Sequence, residues 1–143
     1  MISIEELQNN IKYEAVDPSW LYTAITHKSF FKNNQGVNWG NNEKLEFLGD
    51  AVLDIVMADL LYETFPDDNE GNLSKKRASL VNEKSLSQLA EEVHLDQFLL
   101  VGEGEESQGL RQNKRILAGA FEAIIGGIYK DKGFVVAYEW IKQ

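Results

Sequence analysis

Four carboxylates carry the most suggestive chemistry in this 143-residue chain: Glu43, Glu46, Asp50 and Asp54, spaced +3, +4 and +4. At about 100° per residue that spacing sets them on one narrow stripe of a helix, with Leu45, Leu48, Val52 and Val56 on the opposite side. A solvated acidic face is the ordinary reading of such a stripe. Two features oppose it: no basic residue stands at i+4 to relieve like-charge repulsion, and Phe47 sits among the acids. Clustered carboxylates without cationic partners are what a hard divalent cation requires.

Glu122 is a second source of carboxylate, set among Phe121, Ile124, Ile125 and Ile128 in the very apolar run Ile116 to Tyr129. An acid in that company must be paired, protonated or metal-bound. Alternatively it lies on the one exposed stripe of its helix, with Ala118 and Gly126 beside it, and periodicity leaves both readings open. Positive charge is scarce but clustered, as Lys75, Lys76 and Arg77 in one stretch and Arg111, Lys114 and Arg115 in another. Such runs are usually solvated faces, whereas beside a metal site they would contact phosphates.

Other signals are weaker. Gly102 to Ser107 only grazes a dinucleotide fingerprint and follows no βαβ pattern, so no nucleotide cofactor is expected. Asp67, Asn69 and Gly71 imitate the start of a calcium loop, but Ala78 stands where its closing Glu belongs. His27 and His94 lack a second ligand at i+4, and His27 reads as a hydrogen-bonding residue rather than a base. Ser29 and Ser74 have no nucleophile-elbow context.

The elements that must position these residues are helical, because apolar residues recur at helical spacing and alternating β-branched runs are absent. Ser3 with Glu6 predicts a capping box opening a helix to about Tyr13. Asp17 and Pro18 predict the cap and first position of a helix over 19–26. Lys32 to Asn42 reads as a loop, and a long helix follows from Asn42 to about Phe65, ended by Pro66. Further helices are predicted from about Asn72 to Val81, from Glu83 to Val93 with Asn82 as cap, and from Asn113 to Lys130. Gly102 to Gly109 reads as a loop, and Gly133 separates the last long helix from an amphipathic run, Phe134 to Gln143. An all-α single domain over 1–143 is the expectation.

Composition bounds the partners. Two Pro, no Cys and 26% charged residues exclude collagen, disulfide scaffolds and zinc–thiolate modules. With 14 basic against 23 acidic residues the net charge is −9, which opposes polyanion binding by bulk charge. No apolar stretch reaches the roughly 20 residues of a membrane span, so no membrane partner is expected. The first residues show no signal-peptide pattern, and a cytoplasmic location is the expectation. The uncapped end of the final run suggests truncation from a longer protein.

The string Glu43-Lys-Leu-Glu46-Phe-Leu-Gly-Asp50-Ala51 resembles the signature of the ribonuclease III family, bacterial type. Thr26-His27-Lys28-Ser29, Glu70-Gly71-Asn72-Leu73-Ser74 and Phe121-Glu122-Ala123 with Gly126 and Tyr129 extend the likeness over nearly the whole chain, as one endonuclease domain. The resemblance implies an all-helical, homodimeric endonuclease that cuts double-stranded RNA with Mg2+, Mn2+ being able to substitute, for processing of ribosomal and other RNA. The products would carry 5′-phosphates and 3′-hydroxyls. By position, Glu46, Asp50 and Glu122 match metal-binding residues, Asp50 and Glu122 being catalytic. Glu43 and Glu70 match auxiliary acids, and Phe47 matches an aromatic knob that inserts into the partner subunit. Lys75, Lys76, Arg77, Lys114 and Arg115 are the expected RNA contacts.

One departure stands out. The family places an Asp three residues before the final Glu, and Gly119 occupies that position here. Either this glycine removes a ligand and the activity with it, or water takes over the coordination. Weak or absent cleavage is therefore expected, with a silent RNA-binding or assembly module of the same fold as the rival and a merely acidic interaction protein as a third. The double-stranded-RNA-binding domain usual in bacterial members is absent from this sequence, so RNA affinity should be weak and salt-dependent. Five of the 23 acids fall in the proposed site, over half of the nine-charge excess, so RNA should need divalent cations to approach.

Overall fold

The computed structural model describes residues 3–143. Its elements are α1 (Ile4–Ile11), α2 (Ser19–Ile25), α3 (Glu43–Thr64), α4 (Glu70–Leu80), α5 (Glu83–Glu92), α6 (Glu103–Ser107), α7 (Lys114–Lys132) and α8 (Phe134–Lys142). Short 3-10 turns occupy Lys28–Lys32, Leu95–Gln97 and Leu110–Gln112. The all-α expectation holds among the described residues, with one isolated parallel bridge between Thr26 and Leu100. Met1 and Ile2, part of the expected 1–143 span, lie outside the described residues.

The axis of the fold is α7, buried along Leu117 to Phe121 and again along Ala123 to Ile128. Leu117, Ile124, Ile125 and Ile128 are at most 1% exposed, and each such side chain removed from water stabilises the fold by about 1.5–3 kcal/mol. Around it pack α2, α3, α5 and α8. Asn113 starts this helix, its Oδ1 accepting the Ile116 N–H at 3.1 Å.

Most caps stand where the sequence puts them. Ser3 Oγ accepts the Glu6 N–H at 3.2 Å and Asn82 Oδ1 accepts the Ser85 N–H at 2.8 Å. Four boundaries differ. α1 stops at Ile11, two residues early, because Lys12 turns left-handed (φ 58°). That turn frees Tyr13 to donate its hydroxyl to Asp131 near the end of α7. The same carboxylate accepts the Val16 and Asp17 N–H groups, each at 2.9 Å, so one acid ties the α1–α2 connection to α7. Pro18 rather than Asp17 immediately precedes α2, although Asp17 Oδ1 still accepts the Ser19 N–H at 3.0 Å.

α4 begins at Glu70 instead of Asn72, since Asn69 Oδ1 accepts the Asn72 N–H at 2.9 Å. Finally, the expected 102–109 loop contains α6, fastened to the Lys28–Lys32 turn. Ser29 Oγ accepts the Gly102 N–H at 2.9 Å, Asn33 Oδ1 accepts the Glu103 N–H at 3.0 Å, and Lys32 pairs with Glu105 at 2.6 Å.

Candidate active site

The two acidic sources meet because α3 and α7 cross with their backbones touching. A β carbon on Gly49 would lie 2.9 Å from the Gly126 nitrogen and overlap the Glu122 carbonyl, while one on Gly126 would lie 3.2 Å from the Gly49 nitrogen and overlap the Leu45 carbonyl. Only two glycines permit this approach, and it sets Glu46 and Asp50 beside Gly119 and Glu122. Gly126 and Ala118 are therefore buried, and the exposed-stripe reading of α7 fails. Glu122 opens into a cleft of about 240 Å³ together with Glu46, Asp50, Arg115 and Gly119, walled by Asn82, Glu83 and Leu86.

The electrostatics are those of acids forced together. Burial, then a hydrogen bond with Asp50 and the charges of Asp50, Glu46 and Asp54, push the Glu122 carboxyl up to about 8. Glu46 is an exposed residue, yet its carboxyl end rests against α7. Burial of that end raises its pKa, Arg115 opposes the rise, and Glu43 and Asp50 reinforce it. A β carbon at Gly119 would run into Glu46 Oε1 and stand 2.9 Å from its Cδ. So Glu46 occupies the space that a side chain at 119 would take. Among the described residues no three His, Asp or Glu side chains converge as a ready-made metal cluster, in keeping with Glu46 turned toward α7. The side-chain oxygens that line the cleft, the carboxylates of Glu46, Asp50, Glu83 and Glu122 and the Asn82 amide, nonetheless suit Mg2+ and Mn2+ rather than softer metals.

The remaining candidates scatter. Glu43 pairs with Lys28 at 3.9 Å and does not line the cleft. Glu70 lies in a separate cleft with Tyr62, Asp68, Leu73, Ser74 and Arg77. Lys76 is paired with Asp68 and lies 3.6 Å above the Phe65 ring, whereas Lys75 and Lys114 are exposed. His27 is structural, as expected: its Nδ1 accepts the Ser29 N–H at 3.1 Å and contacts Ser29 Oγ at 2.8 Å. Burial, then the Lys28 charge, lowers its pKa. No sequence signal marked Asn82 and Glu83 as cleft walls, because the turn between α4 and α5 reaches the crossing only in three dimensions.

Phe47 is 82% exposed, and Ile55 (57%) and Tyr62 (68%) stand out with it. At about 100° per residue Phe47, Ala51, Ile55, Ala58 and Tyr62 fall on one stripe adjoining the acids. This second apolar face of α3 was missed, since only the aromatic at 47 had been read from the signature.

Fold and cleft together define an all-helical domain whose acids are gathered at a glycine crossing. Residues 17–143 match the family described as Ribonuclease-III-like. The chain is 49% identical over 139 residues to ribonuclease 3 of Bdellovibrio bacteriovorus, covering 97% of itself and 59% of that relative. Its fold is similar to the ribonuclease III nuclease domain of Campylobacter jejuni, with a TM-score of 0.88 at 45% identity, covering 96% of this chain and 92% of that one. It is also similar to Dicer from Pichia stipitis, with a TM-score of 0.65 at 27% identity over 90% of this chain and 53% of that one. The chain belongs to the ribonuclease III family, with the fold of its nuclease domain. It spans under two thirds of the length of the bacterial relatives it matches. Among the described residues no helix is long and apolar enough to cross a membrane.

Proposed function

We propose that this chain is a metal-dependent endonuclease domain for double-stranded RNA that works as a homodimer in RNA processing. The observation that carries the reading is that Glu46 and Asp50 of α3 and Glu122 of α7 line one cleft. A bound divalent cation, Mg2+ or in its place Mn2+, supplies activation of a water and neutralisation of charge on the attacked phosphate. Asp50 and Glu122 hold it and Glu46 completes the set. Arg115, at the cleft wall, meets the phosphate. Hydrolysis then leaves a 5′-phosphate and a 3′-hydroxyl.

The exposed stripe from Phe47 to Tyr62 supports the dimer, because an apolar face of that length on a long helix suits a self-complementary two-fold contact. The similar Campylobacter domain has a region involved in dimer formation. Tyr62 also lines the cleft that holds Glu70, so a second copy seated on the stripe stands beside that auxiliary acid. Glu43, 3.9 Å from Lys28 and outside the cleft lining, is assigned an auxiliary role.

Gly119 favours a second reading, a silent RNA-binding or assembly module. Incubating a long RNA duplex with Mg2+ or Mn2+ separates the two. Weak or absent cleavage by the unaltered chain and recovery in Gly119→Asp support the endonuclease with a missing ligand. Silence in both proteins would favour the assembly module, and robust cleavage by the unaltered chain would make the ligand dispensable.

A further inference from the structure

The bare face of Gly119 is filled by the end of the Glu46 side chain. A β carbon there would stand 2.9 Å from Glu46 Cδ and 3.5 Å from Oε2, with Oε1 closer still. Those atoms are the far end of a flexible side chain, so any residue with a β carbon would turn Glu46 away rather than disturb the helices. Arg115 lies one turn earlier on the same face of α7 and lines the same cleft, offering a positive charge to the turned carboxylate.

We propose that Gly119 is a resting place for the Glu46 carboxylate, and that the size of residue 119 decides whether that carboxylate settles on the bare face of residue 119 or is left free to join Asp50 and Glu122 on a cation. The glycine then acts twice on a metal: it supplies no ligand, and it draws off one that is present. A cation can use Glu46 only in molecules where the side chain has left Gly119, which lowers apparent affinity by that fraction. This inference rests on the metal-binding reading of the cleft.

Gly119→Ala tests it, because the substitution adds a β carbon and no ligand atom. Calorimetric titration of RNA-free protein with Mn2+ should show binding at least about threefold tighter in Gly119→Ala than in the unaltered chain. The gain should vanish when Glu46→Gln is added, since it works through that carboxylate. A crystal structure of metal-free Gly119→Ala should show Glu46 turned off α7. Equal or weaker Mn2+ binding in Gly119→Ala, a gain that survives Glu46→Gln, or Glu46 still resting on residue 119 would each overturn the proposal. Failure of the underlying reading looks different: Asp50→Asn would leave Mn2+ binding untouched, while the metal-free structure still reports where Glu46 sits.

Discussion

Gly49 of α3 and Gly126 of α7 meet backbone to backbone, and the acidic cleft exists because they do. A methyl group at position 49 has nowhere to go, since it faces the Glu122 carbonyl rather than a movable side chain. Gly49→Ala should therefore destabilise the domain by about 3 kcal/mol, the upper end for overpacking, despite the better helix propensity of Ala. Chemical denaturation followed by circular dichroism measures it. Gly119→Ala is the control, because its methyl meets only the end of Glu46, and the helix should gain up to about 1 kcal/mol. Equal effects of the two substitutions would contradict the crossing as described.

Glu122 makes metal-free stability depend on pH. Its carboxyl is raised from 4.5 to about 8 in the folded chain, so the folded state holds this proton more tightly than the unfolded one. Stability is then highest below the unfolded value and falls as pH rises through about 8. In EDTA, Glu122→Gln should be more stable than the unaltered chain at pH 9, by on the order of 1 kcal/mol after allowance for solvent screening. The difference should shrink toward pH 5, and a gap independent of pH would contradict a raised Glu122 carboxyl.

The sequence exposed what is local and hid what is not. The stripe from Glu43 to Asp54 could be read because helical spacing alone aligns it, and the caps at Ser3 and Asn82 because each bonds within three residues. Glu122 stayed undecided, since its surroundings depend on which face of α7 meets α3, and the two glycines that decide this lie 77 positions apart. α6 was missed for the same reason: its anchors, Ser29, Lys32 and Asn33, lie some 70 residues away. The run Lys75 to Arg77 does not reveal that Lys76 is paired with Asp68 over the Phe65 ring, because those partners lie outside it. Of the whole site, the glycine at 119 is the clearest departure in sequence, whereas the Glu46 carboxyl resting on it is a product of the α3–α7 crossing.

The exposed stripe on α3 predicts self-association centred on Phe47. Sedimentation at micromolar concentration should show a dimer for the unaltered chain. Phe47→Ala should weaken it at least about tenfold, a change of the size expected when a buried aromatic anchor is truncated. Ile55→Ala should weaken it less, since its side chain is smaller. A monomeric unaltered chain would leave the 82% exposure of Phe47 without a partner to explain it.

Lys75 and Lys76 are neighbours in sequence but differ in what they can offer RNA. Lys75 is exposed on α4, while Lys76 is engaged with Asp68 and stacked over Phe65. Filter binding of a short RNA duplex across a salt series, in Ca2+ to suppress cleavage, separates them. Lys75→Gln should weaken binding and reduce the magnitude of the salt slope by about 1, the signature of one lost phosphate contact. Lys114→Gln should behave in the same way from the start of α7. Lys76→Gln should leave the slope unchanged and instead lower stability, because it frees Asp68 and uncovers an aromatic ring. If Lys76→Gln alone altered the slope, the RNA would have to displace Asp68, and the basic face of α4 would extend over all three residues of the run.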